Sequence, residues 1–226
     1  MQARGSEHRS KWPAQGASPV APYVVEYFLP AMSRPLRIEG YAIVSADGMI
    51  ANVEGVMPDA LKIEADQRFF HCSLDRAGAV AHGRHSQETD AGAPQRRRLI
   101  LTRRVAALAP DPQNDKAVWW NSAGASLEQA WEALGAPRGP LAVIGGTEVF
   151  GLFLAIGYDA FHLSRAGKVY LPGGRPVFPG VGPRSPEDLL AAHGLKPGAV
   201  QMLDEAAEAT LRTLRRADDR DRAGHR

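Results

Sequence analysis

A pair of adjacent glycines, a set of arginine-bearing loops and one aspartate on an apolar helix carry the chemistry available to this sequence. The stretch Leu141-Ala142-Val143-Ile144-Gly145-Gly146-Thr147-Glu148-Val149-Phe150 begins as an apolar run too short for a free helix and then meets the two glycines. Val149, Phe150, Phe153 and Leu154 follow at helical spacing. The pattern predicts a strand, a tight turn and a helix. Glycine lets the backbone turn sharply and lets a ligand approach unobstructed by a Cβ. The first amides of the following helix point at that approach, where an anion is welcome. Taken alone, Gly145-Gly146 reads first as a plain turn, and the rest of the chain must decide. Gly83-Arg84-His85-Ser86 and Thr102-Arg103 place amides, hydroxyls and planar guanidinium groups after two other predicted strands, again chemistry that suits a phosphate. Asp66 and Phe70 are four residues apart, so they share a helix face and set a carboxylate beside an aromatic ring. Such an aspartate is either solvated or a pocket acid. The single cysteine, Cys72, rules out an intrachain disulfide and a multi-cysteine zinc site. With no H-E-x-x-H among the histidines either, no metal is expected, and a reducing cytoplasm fits.

The elements that must position these residues follow from periodicity. The run 36–44 starts as an alternating strand and ends apolar, as a strand entering a buried sheet does. It stops at the turn Ser45-Ala46-Asp47-Gly48, after which Met49, Ile50 and Ala51 form an apolar patch in a loop that runs to Pro58. Asp59 is the expected N-cap of a helix reaching about Asp75, with Leu61, Ala65, Phe69 and Cys72 as its apolar stripe. Strands are expected at 77–81, 99–101, 118–120 and 160–164, and a helix capped by Ser126 ends at Gly135. A Gly/Pro-rich loop spans 171–183, and two closely spaced strands near 200–203 and 209–214 suggest an antiparallel C-terminal edge. Alternating strands and helices make this an α/β fold with a mostly parallel central sheet. In such a sheet ligands collect at the carboxyl ends of the strands, so Gly83-Arg84, Thr102-Arg103 and Gly145-Gly146 can face one site, a dinucleotide being the natural occupant. Residues 1–34 read as a flexible N-terminal arm and 217–226 as a disordered charged tail, with one domain between them. A net charge of +2, with no stripe of basic and aromatic residues, argues against nucleic acid. The apolar patch 23–29 is too short to cross a membrane, and no secretory signal is recognisable.

Four segments together resemble one family. Ser45-Ala46-Asp47-Gly48-Met49-Ile50-Ala51, His82-Gly83-Arg84-His85-Ser86, Leu99-Ile100-Leu101-Thr102-Arg103 and Ile144-Gly145-Gly146-Thr147-Glu148-Val149-Phe150 are similar in order and spacing to the dihydrofolate reductase-like superfamily. The resemblance covers residues 35–216. The first loop looks more like the riboflavin-pathway reductase domain, the C-terminal half of the bifunctional deaminase-reductase, than like dihydrofolate reductase itself. The resemblance implies a three-layer sandwich, a homodimer, NADPH as cofactor and hydride transfer to a C=N or ribosylamine-type small molecule. It places Ala42, Ile50 and Ala51 along the nicotinamide. Gly83, Arg84, His85, Ser86, Thr102 and Arg103 fall at the 2′-phosphate and its neighbours. Ile144, Gly145, Gly146, Thr147, Glu148 and Val149 fall at the pyrophosphate. It implies that Asp47, Phe70 and Ser164 face the substrate and that Asp66 is the pocket acid. Two departures bear on the substrate. The tryptophan that dihydrofolate reductase carries near Met57-Pro58 is missing, and one cysteine cannot build the deaminase half. No cluster identifies a sugar-phosphate site, with Arg96 to Arg98 or Arg175 as the candidates. A divergent dihydrofolate reductase and a non-catalytic nucleotide-binding module are the alternative readings.

Overall fold

A computed structural model describes residues 36–85 and 92–217. The expected arm, Ser86 and the tail beyond Ala217 lie outside the described residues.

Among the described residues nine strands make the central sheet: β1 (Ile38–Ser45), β3 (Ala79–Gly83), β4 (Arg98–Leu101), β5 (Leu108–Asp111), β6 (Asn114–Trp120), β7 (Leu141–Gly145), β8 (Ala160–Ala166), β10 (Leu195–Asp204) and β11 (Ala209–Arg216). Their order is β10-β11-β8-β1-β7-β3-β4-β6-β5. The six central strands from β8 to β6 are mutually parallel, as the apolar runs predict. Antiparallel pairing occurs at both edges, through β10 and β11 on one side and β5 on the other. The second antiparallel edge was not expected, because Leu108-Ala109-Pro110-Asp111 lacks β-branched residues and contains a proline. An edge strand tolerates that proline, since one row of its amides needs no partner. Two short strands, β2 (Met49–Ala51) and β9 (Arg175–Pro176), form a separate antiparallel pair that joins the loop after β1 to the Gly/Pro-rich loop.

Alternation along the strands sends side chains into two layers of helices. Leu141 and Val143 of β7 join the main core with α2 (Leu127–Ala133), α3 (Thr147–Ile156) and α4 (Pro186–Ala192), whereas Ala142 joins Tyr41, Val80 and Leu74 of α1 (Glu64–Leu74) on the other face. The result is the expected three-layer sandwich. Phe150, Phe161 and Phe178 pack with ring centroids 5.2–6.0 Å apart. Phe178 thereby ties the Gly/Pro-rich loop into the core. α4 was not anticipated although Ser185 and Asp188 form a reciprocal capping box, because aspartate stands where the usual signature carries Glu or Gln.

The helix over the site differs from the sequence reading in register. Asp59 opens only a short 3₁₀ turn (Asp59–Leu61), and its carboxylate binds Lys62 Nζ at 2.7 Å. α1 starts later, at Glu64, with Ile63 as a side-chain-free N-cap. Its buried residues are Asp66, Ser73 and Leu74, while Cys72 is exposed. Asp66 therefore stands in the middle of the buried stripe rather than beside it.

Candidate functional site

One large cleft, with a cavity volume of about 1840 Å3, runs across the carboxyl ends of β3, β4, β6 and β7 and under α1. A single small-ligand pocket holds roughly 300–1,000 Å3, so this cleft has room for two ligands side by side. Gly83 ends β3 and Arg84 and His85 follow it, Thr102 and Arg103 follow β4, and Ile144 to Val149 bridge β7 and α3, and all of them line the cleft. Three loops distant in sequence thus meet, as parallel strand order requires.

The local backbone explains the glycines. Gly146 is the N-cap of α3 at φ 87°, a left-handed conformation that L side chains adopt only under strain. No side chain caps this helix start, which leaves its first amides facing the cleft. Thr147 turns its hydroxyl the other way, donating to the Pro176 carbonyl at 2.5 Å and pinning β9 to the helix. Gly83 has an ordinary backbone, and a Cβ there would find only Val149 at 3.5 Å and the Gly145 carbonyl at 4.0 Å. Around this wall Arg84, Arg103 and Arg104 are exposed, and Arg84 Nη2 lies 2.8 Å from His85 Nε2. The wall is a cradle of amides rimmed by guanidinium groups, which fits a phosphate-bearing cofactor.

The other half of the cleft is built around Asp66. It is 8% exposed on α1, across from Ser164, which is 1% exposed on β8. Burial raises the Asp66 pKa above the ordinary aspartate value, partly offset by the Ser164 hydroxyl and the charge of His71. Register places Ile43 of β1 opposite Ser164 and Tyr41 opposite His162, so these four side chains form the floor. Tyr41 and His162 stack at 4.6 Å, and Phe69 and Phe70 from α1 close in from above. Ala42, Ile50 and Ala51 line the cleft as well.

Asp47 departs from the expected substrate contact. It does not line the cleft, and its carboxylate instead accepts the Leu171 amide at 3.0 and 3.1 Å and the Ser45 hydroxyl at 2.5 Å. Burial pushes its pKa up, but these hydrogen bonds outweigh that and hold it below the usual range. Asp47 is a loop clamp. Arg96 to Arg98 are likewise engaged in structure: Arg96 pairs with Asp75 at 2.7 Å, Arg97 bonds the Leu134 carbonyl, and Arg98 bonds His82 and the Ala93 carbonyl. Arg175, the other sugar-phosphate candidate, does line the cleft, against Gly55.

Several lining residues escaped the sequence reading. Tyr41 and His162 needed the β1–β8 register, Asn121 and Ser122 follow a strand whose end carries no glycine, and Lys62, Gln67 and His71 needed the true phase of α1. Only Gln67 and His71 had a signal, their own i, i+4 spacing on one helix face.

No protein-family model matches the sequence, and no curated protein sequence matches it significantly. Solved structures do match. A protein ascribed to riboflavin biosynthesis from Shewanella sp. PV-4 aligns with a TM-score of 0.55 and 18% identity over 80% of this chain and 99% of its own. Dihydrofolate reductase from Enterococcus faecalis, solved with NADP(H) and a second ligand, aligns with a TM-score of 0.54 and 18% identity over 80% and 97%. The diaminohydroxyphosphoribosylaminopyrimidine deaminase/5-amino-6-(5-phosphoribosylamino)uracil reductase from Thermotoga maritima aligns with a TM-score of 0.54 and 17% identity over 80% of this chain and 57% of that longer protein. With its strand order, its layers and these likenesses, the chain has the dihydrofolate reductase-like fold.

Proposed function

We propose that this chain is an NADPH-dependent reductase of the riboflavin-pathway type, acting on 5-amino-6-(5-phosphoribosylamino)uracil-like pyrimidine ribosylamines or a related C=N compound. The observation that carries the reading is the bipartite cleft, an amide-and-guanidinium cradle at one end and a buried Asp66–Ser164 pair at the other. NADPH supplies a hydride when bound. Arg84 and Arg103 would hold its phosphates by charge-assisted hydrogen bonds, and Gly83 and Gly146 would leave room for a close approach to the backbone. Hydride addition to C=N leaves a nitrogen that needs a proton. Asp66, held protonated by burial to a higher pH than a free aspartate, donates it at its carboxyl oxygen, and Ser164 keeps the carboxyl oriented. Phe69, Phe70 and the Tyr41–His162 stack exclude water from that end.

Thermal unfolding tests the cofactor assignment. NADPH in excess raises the melting temperature through binding linkage and NADH raises it much less. An identical shift with both, or none at millimolar NADPH, would overturn the reading. Divergent dihydrofolate reductase activity is the second reading, favoured by the single buried carboxylate, Asp66, that α1 brings to the cleft. Turnover of dihydrofolate with NADPH, and protection by methotrexate, would replace the first reading with this one.

A further inference from the structure

Among the described residues the lysine and arginine side chains that line the large cleft are Lys62, Arg84, Arg103, Arg104 and Arg175. Arg84, Arg103 and Arg104 rim the amide cradle, and Lys62 is drawn to Asp59, 2.7 Å away. Arg175 stands apart on β9, and among the described residues its guanidinium has neither a hydrogen-bond nor an ion-pair partner. Its backbone is held on both sides. Arg175 pairs with Ala51 of β2, and the next carbonyl, that of Pro176, accepts the Thr147 hydroxyl at 2.5 Å. Its side chain is held by Gly55. A Cβ built on Gly55 would stand 2.6 Å from Arg175 Nε and Cζ and 2.7 Å from Nη2, so the guanidinium fills the space that any other residue's Cβ would take. Gly55 is fixed in turn at φ 81°, its amide donating to the Asn52 carbonyl at 3.0 Å and the Val56 amide donating to Asn52 Oδ1 at 2.8 Å. A surface arginine ordinarily loses rotamer freedom when it binds, whereas this one is already ordered with its fork open. The carboxylates nearby leave it so. Burial favours the protonated form of Asp66, and neither Glu148, exposed in the first turn of α3, nor Glu54, beside Gly55 in the chain, makes an ion pair with Arg175.

We propose that Arg175, resting on Gly55, selects a phosphorylated sugar substrate by binding its phosphate monoester, apart from the phosphates of the cofactor. A planar fork meets a phosphate with two parallel N–H···O bonds, which fixes orientation as well as adding attraction. Because β9 is paired to β2, the anchor is tied to the cleft wall rather than to a free loop. The inference rests on the reductase reading, which gives the cofactor's phosphates to Arg84 and Arg103 and leaves Arg175 to the substrate.

The test is calorimetric titration of ribose 5-phosphate, and in a second arm of ribose, into the full chain at low ionic strength, with and without saturating NADPH. Wild type, Arg175→Gln, Gly55→Ala and Arg103→Gln are compared. In wild type ribose 5-phosphate should bind about tenfold or more tighter than ribose, the effect of a charge-assisted contact. That ratio should collapse in Arg175→Gln and fall in Gly55→Ala, which keeps the charge but displaces the fork, and it should persist in Arg103→Gln. A variant that had merely unfolded would lose both sugars rather than the difference between them. NADPH affinity should hold in Arg175→Gln and drop in Arg103→Gln. Equal binding of the two sugars to wild type, or a ratio unchanged by Arg175→Gln, overturns the proposal, and NADPH binding in the same samples leaves the reductase reading standing. NADPH affinity that falls in Arg175→Gln as far as in Arg103→Gln assigns the arginine to the cofactor and overturns the proposal as well. If wild type fails to bind NADPH, the reductase reading falls, and the sugar ratio in the cofactor-free arm decides the role of Arg175 by itself.

Discussion

Asp66 stands where stability and chemistry pull in opposite directions. Its pKa is raised by burial, so the protonated form is the better folded one. Its contribution to stability is complete below pH 3.8, the ordinary value, and is lost as pH rises through the elevated folded value. Asp66→Asn removes that loss and keeps the shape. The variant should be at least as resistant to urea as the parent at neutral pH while reductase turnover falls about a hundredfold or more, the usual worth of a positioned acid. In the parent, turnover should decline as pH rises through the Asp66 titration. Full activity in Asp66→Asn would remove it from the mechanism. The glycines divide on the same logic. A side chain at Gly146 would strain a φ of 87° and destabilise the fold whether or not a ligand binds. Gly83 has an unstrained backbone and a Cβ there would make only ordinary contact with Val149, so Gly83→Val is the cleaner probe. It should raise the NADPH dissociation constant about tenfold or more, some 1.4 kcal/mol, while the melting temperature stays within a few degrees. Equal losses in both measurements would return Gly83 to a structural role.

Among the elements, what could be read from the sequence was what neighbours in the chain determine. Gly145-Gly146 is a local turn signal, and α3, β7 and the cradle follow from it. The parallel core strands were legible because burial on both faces writes them as short apolar runs. The phase of α1 was not, because Asp59 offers a competent cap and the chain uses Ile63 instead, a choice made by burying Leu61 and Ile63 under the sheet. Tyr41 and His162 belong to strands 121 residues apart by the partner register, and a contact of that separation leaves no trace in periodicity. The Gly/Pro-rich loop was legible only as a loop, yet Val177 and Phe178 are fully buried in it. Phe178→Ala should therefore lower unfolding free energy by about 3–5 kcal/mol, the range for a buried phenylalanine, in denaturant titration. A change under about 1 kcal/mol would show that the loop is not part of the core.

For the molecule as a whole, the acid limb of stability is set on the face opposite the main core. Burial alone would raise the Glu39 pKa, but His162, Tyr41 and Arg37 outweigh it and bring it to about 2 from 4.5. That stabilisation is present above pH 4.5 and is lost as pH falls towards 2. Glu39→Gln should flatten the pH dependence of unfolding across that window and destabilise the chain at neutral pH, as urea titrations at several pH values would show. An unchanged slope would mean that other carboxylates govern acid unfolding. The three layers also explain how much of the molecule serves the cleft. Among the described residues α1 is the one α-helix packed on its face of the sheet, so the pocket acid and the aromatic roof both move if that helix moves.

The pairing of β2 with β9 joins the two margins of the cleft mouth. Met49 faces Pro176 and Ala51 faces Arg175, the Val177 amide donates to the Gly48 carbonyl, and Asp47 holds the Leu171 amide. Anyone redesigning substrate preference therefore inherits a coupled pair of loops: residues 45–58 cannot be lengthened or swapped as a cassette without re-cutting 171–177 to match, and grafts should be transplanted as both segments or neither.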